Sequence, residues 1–579
     1  MNTDSVTFER SISIGERAGK MGLDTNLLYE SVIEIAEEGM LTAHSVNAAA
    51  QILLGELGLP EYCFQNIDAD TLKSVLRVLA TNIRPGPNGR YLLNSQEAPL
   101  LSGVVDGIQI LLASDEARER TDQAAGTAVG HKHWEYYHCH RNHYHTYVIK
   151  PGSCPSLEEV AAGASPFSMV QSNHGFHVPA ETRLRYETFL KQHKASVGRR
   201  IHISPCEATM ETRIMFHKNI DGYWLSIMRR RFEELGLRIT RAYGEPYRTD
   251  TGTIASVCSI YVLGELDEDQ CAAIGKDLRA MLALPPHTFA HLYLGKALTF
   301  EQMLFAVNAS CFIHQFIYIE QETDRKLMDS LKSERLRAAL ARRIARANRN
   351  EHTRHVITET LRENPDLVRT LFKLFDARFN PEQAAVYDAH EQDQQIELFD
   401  RGLQIRFSDD STALDIFRFA CRLITDTLKT NFYKLDRRSY SFRLDSTILD
   451  PIVFPETVFG IFFVLGHHSL GTHMRAEDIA RGGLRLLRVT AANYDNQLDD
   501  ANLLNYALGP RAQRLKHKDI AESGAKGVIV PTPNHAYDGL NAVFDYSEGI
   551  LDLILPSSEI VDHYGKPEMI FFGPDEGTA

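Results

Sequence analysis

The chain contains 579 residues, of which 44% are hydrophobic and 24% are charged, a composition typical of a globular protein with several hydrophobic cores. At roughly 100 to 200 residues per domain, this length predicts about three or four domains. The 62 basic and 76 acidic residues give a formal net charge of -14, which is unfavourable for binding the phosphate backbone of nucleic acids. These values exclude a single small module and a mostly disordered chain, and we expect no nucleic-acid partner.

The sequence also lacks the signals of secretion and of membrane insertion. Its first residues, MNTDSVTFERSISIGERAGK, include acids and no apolar segment after the basic residues, so no secretory signal is predicted. No stretch of 18 apolar residues occurs, as a membrane-spanning helix would require. The eight cysteines are dispersed without a C-x-x-C pair, which argues against a disulfide scaffold and a zinc ribbon. We therefore expect a cytoplasmic protein without a membrane partner.

Residues 1–200 are predicted to form a mixed region of helices and strands. The segment DTNLLYESVIEIAEEG places Leu28, Val32 and Ile35 at helical spacing, with Asp24 as the N-cap and Gly39 at the end. The first 120 residues mostly follow this helical pattern. The turn formers of RPGPNGR precede a stretch in which the helix and strand signals cannot be separated.

A histidine cluster stands out in this region, in the sequence HKHWEYYHCHRNHYH. It holds six histidines, at positions 131, 133, 138, 140, 143 and 145. A metal site would require several ring nitrogens to converge, but the spacing matches neither a helical H-x-x-x-H pair nor a zinc finger. The interleaved aromatic residues suit a packed strand. The pattern therefore favours a local polar surface over a metal site, and we predict no metal ligands.

Residues 201–322 are predicted to form a central β-α-β-β-α unit. Its elements are a strand at Thr212–Phe216, a helix at Trp224–Leu235 ended by Gly236, the strand LRITRAY, the turn-rich GEPYRTDTGT, a strand at Ile254–Leu263, and a helix opened by Asp267–Asp269. This order suits a ferredoxin-like layer of the ACT type, which small-ligand regulatory domains often use. A plain packing layer without a ligand is an equally weighted alternative.

Residues 323–435 are predicted to form a helical region. Within it, KSERLRAALARRIARANRN crowds arginines onto one helix. An RNA-binding face is conceivable, but acids flank the segment and no aromatic residues are interleaved with the arginines. The pattern therefore favours a helix face that is solvated or that pairs with another surface.

Residues 436–579 have a different character, because apolar runs alternate with amphipathic stretches. The runs are SYSFRL, TVFGIFFVLG, KGVIVPT, ILDLILP and EMIFFG, and they predict strands of an α/β sheet that is buried on both faces. The predicted fold class is thus a multidomain α+β chain with a C-terminal α/β domain, a central ferredoxin-like unit and helical segments.

Three segments of this last region carry the candidate site: ARGGLR at Ala480–Arg485, RLKHKDIAESGAKG at Arg514–Gly527 and FFGPDEG at Phe571–Gly577. The guanidinium of Arg481 can bind a carboxylate, and the glycines beside it let a ligand approach the backbone. A lysine enclosed near other cations could act as a base near neutral pH. Asp575 follows an apolar strand, at the carboxyl end where open α/β sheets bind ligands. These groups fit chemistry at the alpha carbon of an amino acid.

Longer stretches around the same segments resemble a known family. They are GIFFVLGHHSLGTHMRAEDIARGGLRL, RLKHKDIAESGAKGVIV and YGKPEMIFFGPDEGTA. They resemble the large NAD-specific glutamate dehydrogenases, within the glutamate, leucine, phenylalanine and valine dehydrogenase superfamily. Three motifs in the same order over about 120 residues are far more specific than a single match. The resemblance implies that residues 436–579 form the substrate (catalytic) domain, and that the upstream residues correspond to non-catalytic domains of the large class.

The resemblance also implies two catalytic roles. Lys526 in SGAKG looks like the lysine of the superfamily's G-G-x-K-G loop, which activates the attacking water in deamination. Asp575 in GPDEG looks like the acid that passes protons to and from the alpha-amino nitrogen. Ser523 stands where smaller members have the first glycine of the loop, a change that leaves the lysine in place.

Further residues are implied to bind the substrate. Gly482 and Gly483 correspond to the paired glycines that line the substrate side chain. Lys516 best matches the lysine that pairs with the alpha-carboxylate, although Lys518 lies two residues away and the register between them is open. Arg481 stands where the smaller glutamate enzymes have a lysine for the gamma-carboxylate; it keeps the charge but has the geometry of a fork.

The implied reaction is the reversible oxidative deamination of L-glutamate with NAD to 2-oxoglutarate and ammonia, in a homo-oligomer. No G-x-G-x-x-G that follows a strand is found in the sequence, and NAD binding in a Rossmann domain depends on such a loop. We therefore expect this chain to be the N-terminal portion of the enzyme, without the Rossmann domain and inactive alone. The alternative is a non-catalytic regulatory or assembly module that senses a small metabolite.

Overall fold

The computed structural model describes residues 14–578 except 60, 66, 86–90, 94–99, 102–108, 141–142, 168–179, 193–200, 208, 219–222, 251, 286, 320–321, 409–410 and 512–522. The fold is mixed α/β with two multi-stranded sheets. The chain divides into two compact units, Met1–Ile274 and Gly275–Ala579, so the division falls inside the segment 201–322. Within the described part of the chain, no helix combines the length and the apolar character needed to cross a bilayer.

Among the residues that the structure describes, the first unit contains ten helices, the last of which crosses the division, and ten strands. Its helices are α1 (residues 14–20), α2 (Thr25–Glu37), α3 (Ala43–Gly55), α4 (Tyr62–Gln65), α5 (Ala69–Thr81), α6 (Arg118–Val129), α7 (Leu157–Ala161), α8 (Ala180–Gln192), α9 (Trp224–Glu234) and α10 (Glu268–Leu282), which crosses the division. Its strands are β1 (Ile83–Pro85), β2 (Tyr91–Leu93), β3 (Leu100–Leu101), β4 (Gln109–Ser114), β5 (His133–Cys139), β6 (Tyr144–Lys150), β7 (His202–Cys206), β8 (Glu211–His217), β9 (Ile239–Arg248) and β10 (Ile254–Leu263).

The N-terminal helices confirm the helical pattern of the sequence. The side chain of Asp24 accepts a hydrogen bond from the backbone of Asn26 at the start of α2, and Leu28, Val32 and Ile35 are buried. These residues join a core that the helices share with Leu112, Tyr137 and Val148 of the sheet. An apolar stripe at helical spacing is buried because it has a sheet face to pack against.

An eight-stranded antiparallel sheet forms the centre of the first unit, in the order β3-β4-β6-β5-β9-β10-β8-β7. The order is palindromic: β3, β4, α6, β5 and β6 occupy places equivalent to those of β7, β8, α9, β9 and β10. The two halves meet where β5 pairs with β9. The β-α-β-β-α order predicted for the central unit is present, but its strands share one sheet with strands of residues 100–150. Its ACT-type assignment stays a prediction.

The seam between β5 and β9 combines a tight apolar contact with a buried charge cluster. A side chain at Gly244 would overlap the indole of Trp134, so the glycine lets the two strands pair closely. Beside it, the His133 ring hydrogen-bonds to Glu245 at 2.8 Å and to Glu135 at 2.9 Å. Lys150 also pairs with Glu135. Burial disfavours the charged imidazole, but the two carboxylates outweigh this effect and raise the pKa of His133 to about 9.

A second buried ion pair joins the equivalent helices α6 and α9. The guanidinium of Arg229 binds the carboxylate of Asp122 through two hydrogen bonds, at 2.6 and 3.0 Å. Both side chains are almost fully buried, and the hydroxyl groups of Ser226 and Tyr147 also donate to Asp122. A buried charge persists only when it is paired and hydrogen-bonded in this way.

The second unit places helices before and around a seven-stranded sheet. Its helices are α11 (Ala290–Leu294), α12 (Phe300–Phe316), α13 (Glu322–Ser330), α14 (Glu334–Glu351), α15 (Arg354–Glu363), α16 (Pro365–Phe379), α17 (Ala389–Arg406), α18 (Thr412–Thr425), α19 (Tyr494–Tyr506) and α20 (Gly539–Ile554). Its strands are β11 (Thr427–Thr430), β12 (Ser439–Leu444), β13 (Gly460–Gly466), β14 (Ser469–Arg475), β15 (Ala480–Leu486), β16 (Ser523–Pro531) and β17 (Phe571–Pro574).

This sheet changes from antiparallel to parallel along its width, in the order β11-β12-β13-β14-β16-β15-β17. Strands β11 to β14 and β16 pair antiparallel, whereas β15 is parallel to both β16 and β17. Helix α20 packs on one face through Ala542, Tyr546 and Ile550, against Leu484 and Ile529. The sheet confirms the strands predicted at SYSFRL and KGVIVPT.

Two predicted elements are wrong in their type or extent. The run ILDLILP forms the end of α20 rather than a strand, because Ala542, Tyr546, Ile550 and Leu553 are buried at helical spacing. Strand β9 continues to Arg248, through half of the predicted turn GEPYRTDTGT. The cause is tertiary, since Gly244 is held in the strand by Trp134 of the neighbouring β5.

Substituting Asp122 by Ala is expected to destabilise the first unit by roughly 3–5 kcal/mol, because Arg229 would remain as a buried charge without its partner. Both tryptophans of the chain, Trp134 and Trp224, are buried in this unit, so tryptophan fluorescence during urea unfolding follows this unit alone. The control is Glu119→Ala on the exposed side of α6. Equal unfolding midpoints for the two variants would contradict the assignment.

The stability of the same unit is expected to fall as the pH rises from about 6.5 to about 9. The folded state raises the pKa of His133 to about 9 from its ordinary 6.5, so the stabilisation is complete below pH 6.5 and is lost through pH 9. We expect His133→Gln to flatten this pH dependence and His131→Gln, at an exposed position, to leave it unchanged. The measurement is the urea unfolding midpoint, followed by tryptophan fluorescence, across this pH range. If the midpoint of His133→Gln fell with pH as steeply as that of the wild type, the role of His133 would be refuted.

Candidate active site

Three neighbouring parallel strands bring together the three sequence segments of the candidate site. Strand β15 carries the paired glycines and lies between β16 and β17. Gly483 is opposite Gly573 of β17, and Leu484 is opposite both Pro574 of β17 and Gly527 of β16. Residues that are distant in sequence therefore meet along one short stretch of the sheet.

Lys526 and Asp575 are in direct contact in this arrangement. The ammonium group of Lys526 forms an ion pair with Oδ2 of Asp575. Lys526 is buried, with 8% of its surface exposed, whereas one-third of the Asp575 side chain is exposed. A carboxylate thus contacts the lysine, and the cations that the sequence suggested near it lie outside the described residues. An enclosed amine that touches an accessible acid can exchange protons with a bound molecule.

Each of the paired glycines makes room for a different neighbour. A side chain at Gly482 would overlap the backbone carbonyl of Ala525 in β16. A Cβ at Gly483 would lie 2.6 Å from the Cβ of Asp575. The first glycine therefore lets β15 and β16 approach, and the second makes room for the acid.

The turn that carries Asp575 is fixed by hydrogen bonds back to β15. The backbone amide of Asp575 donates to the hydroxyl of Thr578 at 2.8 Å, and that hydroxyl donates to the carbonyl of Leu484 at 2.7 Å. Gly577 has a left-handed φ of 81°, which only glycine adopts at little cost. These contacts hold the carboxyl group in position before any ligand binds.

The candidate site residues Arg481, Gly483 and Lys526 lie on one face of the sheet. Leu484 packs on α20, and successive residues of a strand point to opposite faces, so Arg481 and Gly483 point away from α20. Lys526 lies on this second face too, because a Cβ at Gly509, in the turn after α19, would lie 2.9 Å from its own Cβ. The side chain of Arg481 is exposed. Lys516 and Lys518 lie outside the described residues.

Helix α19 is tied to this second face by buried amides. The hydroxyl of Thr472 donates to Asn502 at 3.0 Å, and the side-chain amide of Asn505 donates to the Thr472 carbonyl at 2.8 Å. Asn502 in turn donates to the carbonyl of Gln315 in α12 at 2.6 Å. The helix therefore has a fixed position above β14 and β16.

A buried triad that the sequence analysis missed supports the segment before β17. Glu568 accepts hydrogen bonds from Arg443, at 2.9 Å, and from Arg475. Arg475 also donates to the carbonyl of Met569 at 3.1 Å. All three charged side chains are almost fully buried. Arginines within apolar strands are the sequence signal for such a triad, since buried charges require partners.

Behind the site, the opposite face of β14 carries a neutral histidine. The ring of His473 hydrogen-bonds to the hydroxyl of Tyr546 at 2.9 Å. Burial, aided by the charge of Arg475, lowers the pKa of His473 to about 3. A Cβ at Gly527 would lie 3.1 Å from this ring. His473 thus packs the sheet without charge near neutral pH.

Comparisons with known proteins point to the same region. Residues 407–550 match the family described as bacterial NAD-glutamate dehydrogenase, catalytic domain. The match includes Arg481 and Lys526, and Asp575 lies beyond it.

Similar proteins occur in several organisms. Glutamate dehydrogenase 2 of Dictyostelium discoideum is 32% identical over 317 residues, which are 53% of this chain and 29% of the relative. The NAD-specific glutamate dehydrogenase of Neurospora crassa is 28% identical over 430 residues, 69% of this chain and 40% of the relative. That of Saccharomyces cerevisiae is 29% identical over 332 residues, 53% of this chain and 30% of the relative.

The chain thus spans less than half the length of these relatives. Its resemblance to them extends well upstream of the three motifs. The chain is thus similar to NAD-specific glutamate dehydrogenases, and residues 407–550 match the model of a catalytic domain in this oxidoreductase family.

Proposed function

We propose that the second unit binds the amino-acid substrate of an NAD-dependent glutamate dehydrogenase. The observation that carries the proposal is the contact between the enclosed Lys526 and the accessible Asp575, beside the paired glycines of β15. The family match covers the sheet that holds Lys526. The reaction is the oxidative deamination of L-glutamate to 2-oxoglutarate and ammonia.

In this proposal the two polar groups divide the proton transfers. Asp575 is the more exposed group, and it moves protons to and from the alpha-amino nitrogen. Lys526 is enclosed. Once it has passed its ammonium proton to Asp575, its neutral amine removes a proton from the water that attacks the alpha carbon of the iminium left by hydride loss. The two groups can pass a proton between them because they already share a hydrogen-bonded contact. Such positioned acids and bases commonly accelerate a reaction about 10²–10⁴-fold.

The substrate carries two carboxylates, and the proposal assigns a cation to each. Arg481 precedes the paired glycines on the same face as Lys526 and is exposed, so its guanidinium fits the gamma-carboxylate with two parallel hydrogen bonds. Lys516, or Lys518 in the alternative register, binds the alpha-carboxylate. The backbone of Gly482 and Gly483 is proposed to line the substrate side chain.

NAD, when bound, accepts the hydride from the alpha carbon. The sequence offers no glycine-rich loop after a strand for its pyrophosphate. We therefore assign no cofactor-binding residue in this chain, and propose that a dinucleotide-binding domain outside it supplies NAD.

A second candidate function is a regulatory module that senses a small metabolite. The palindromic sheet of the first unit favours it, because its two halves repeat the strand–helix–strand–strand order that ligand-binding regulatory layers often use. The two functions are compatible, since they use different units of the chain.

Lys526→Ala and Asp575→Asn are each expected to lower kcat by roughly 10²-fold or more, because each removes a group that transfers protons. The measurement is NADH formation from L-glutamate and NAD, by the chain alone and by a version extended through any downstream reading frame. The matched control is Glu576→Gln, which removes the exposed partner of Arg485 next to Asp575 and is expected to keep its activity.

The outcomes separate the two candidate functions. Full activity in either the Lys526→Ala or the Asp575→Asn variant would overturn the assigned roles. An extended protein that is inert with L-glutamate, while the chain still binds a metabolite in calorimetry, would favour the regulatory module instead.

Gly483→Ala is expected to lower kcat more than it changes KM, because the new Cβ would meet the Cβ of Asp575 at 2.6 Å and displace the acid. Gly573→Ala is the matched control, since Gly573 lies directly across from Gly483 and a Cβ there would have no neighbour within 4 Å among the described residues. Kinetics of both variants in the extended protein provide the measurement. Equal kcat values would show that this glycine does not position Asp575.

A further inference from the structure

A second polar cluster lies in the first unit, at one end of strands β4, β5 and β6. His138 of β5 and His145 of β6 are directly opposite each other in the antiparallel ladder, and their rings stack at 4.2 Å. Asp115 follows β4, whose residue Ala113 pairs with His145 on its other side. Three neighbouring strands thus deliver one acid and two imidazoles to the same place.

The possible ligand atoms of this cluster converge. Oδ1 of Asp115 lies 2.5 Å from Nε2 of His145 and 3.7 Å from Nε2 of His138. The three atoms lie within 4.8 Å of one another. A Zn²⁺ ion bonded at about 2.0–2.2 Å to each ligand separates the ligand atoms by about 3–3.5 Å. The Asp115–His145 pair must therefore open by about 1 Å, and the 3.7 Å between Asp115 and His138 is already close to that spacing.

Two buried ring nitrogens of the cluster are unsatisfied. Nε2 of His138 and Nε2 of His140 have no hydrogen-bond partner among the described residues, and the two rings lie 3.9 Å apart. A buried polar atom without a partner costs free energy, and its presence in a packed structure requires an explanation such as an ion. The unpartnered nitrogen of His138 belongs to the set that converges on Asp115.

A neighbouring tyrosine orients the ring of His145. The other nitrogen of His145, Nδ1, hydrogen-bonds to the hydroxyl of Tyr136 at 2.7 Å, which fixes the ring so that Nε2 faces Asp115.

The backbone also keeps Asp115 at the end of the hairpin. Its amide donates to the carbonyl of His143 at 3.2 Å, and the ring of His143 hydrogen-bonds to its Oδ2 at 3.0 Å. His143 adopts a left-handed φ of 59°, which is uncommon without glycine and is often found at functional sites. The Asp115 side chain is 42% exposed, so an ion can reach it from solvent.

We propose that Asp115, His138 and His145 bind a divalent transition-metal ion, with Zn²⁺ as the matching chemistry. One carboxylate and two imidazoles form a donor set that Zn²⁺ prefers, and the fourth position is left for His140 or water. The ion links the ends of three strands close to the seam between the two halves of the sheet. This site is independent of the proposed substrate site, which lies in the other unit.

A second group of histidines provides an internal comparison. His467, His468 and His535 of the second unit also place ring nitrogens within 4.8 Å of one another. His468 hydrogen-bonds to Asp545, and His467 to the carbonyl of Leu284. This group has no carboxylate among its ligand atoms, so we expect it to bind Zn²⁺ more weakly than the Asp115 site.

The experiment measures Zn²⁺ binding to the purified full-length chain by competition with a chromophoric chelator, and repeats it with Co²⁺ to record the ligand-field spectrum. We expect one tight ion per chain, and we expect Asp115→Asn and His138→Gln each to weaken it about tenfold or more. His131→Gln is the matched control, because His131 is exposed in the same segment. Native tryptophan fluorescence, from Trp134 and Trp224 of the first unit, shows that each variant folds.

The outcomes distinguish the Asp115 site from the group of His467, His468 and His535. Loss of binding in Asp115→Asn and His138→Gln, with retention in His131→Gln and in His535→Gln, supports the proposal. No stoichiometric Zn²⁺ in the wild-type chain overturns it. Loss in His535→Gln alone also overturns it, because the ion would then belong to the second unit.

Discussion

Two glycines of β15, Gly482 and Gly483, allow Lys526 and Asp575 of the second unit to lie next to each other. At Gly482 the carbonyl of Ala525 occupies the space of a Cβ, and at Gly483 the Asp575 side chain does so. Any other residue at either position would push β16 or the turn after β17 away from β15. The ion pair between Lys526 and Asp575 therefore depends on backbone packing, and the hydrogen bonds from Thr578 to Leu484 complete it. The contact between Lys526 and Asp575 is a consequence of how closely three strands can approach.

Buried charges fix the packing of strands and helices inside each unit. The Arg443–Glu568–Arg475 triad anchors the chain just before β17, and the Asp122–Arg229 pair joins the two equivalent helices of the first unit. Moving such charges out of water costs several kcal/mol for each ion, which the pairing roughly offsets. The pairs therefore add little to the free energy of unfolding. An alternative packing that separates the partners would keep the desolvation cost without the attraction that offsets it. We infer that these groups select one arrangement of strands and helices more than they stabilise it.

The sequence predicts what is encoded locally and misses what depends on distant pairing. Helix α2 follows from its apolar stripe and its Asp24 cap, and β10 follows from an unbroken apolar run, with both ends at the predicted residues. The short run ILDLILP does not distinguish a helix from a strand. Its helical period becomes visible only when the buried upstream residues Ala542 and Tyr546 are counted with it. The palindromic sheet has no local signal at all, since the pairing of Trp134 with Gly244 joins residues far apart in the chain. The three motifs of the second unit were recognisable, but their contact geometry was not.

The histidine cluster shows why a spacing rule can overlook a converging site. Rules for metal ligands in a sequence assume that the ligands lie on one helix or in one finger, where fixed intervals bring them together. In an antiparallel hairpin the partners are set by the turn instead, so His138 meets His145 across the ladder. The third group, Asp115, comes from the strand on the other side of β6 and lies well outside the cluster in sequence. Convergence of this kind becomes visible only when the register of three strands is known. Within the cluster His133 and His145 are buried, whereas His131 and His143 are exposed, so the polar surface that the spacing favoured stays a prediction.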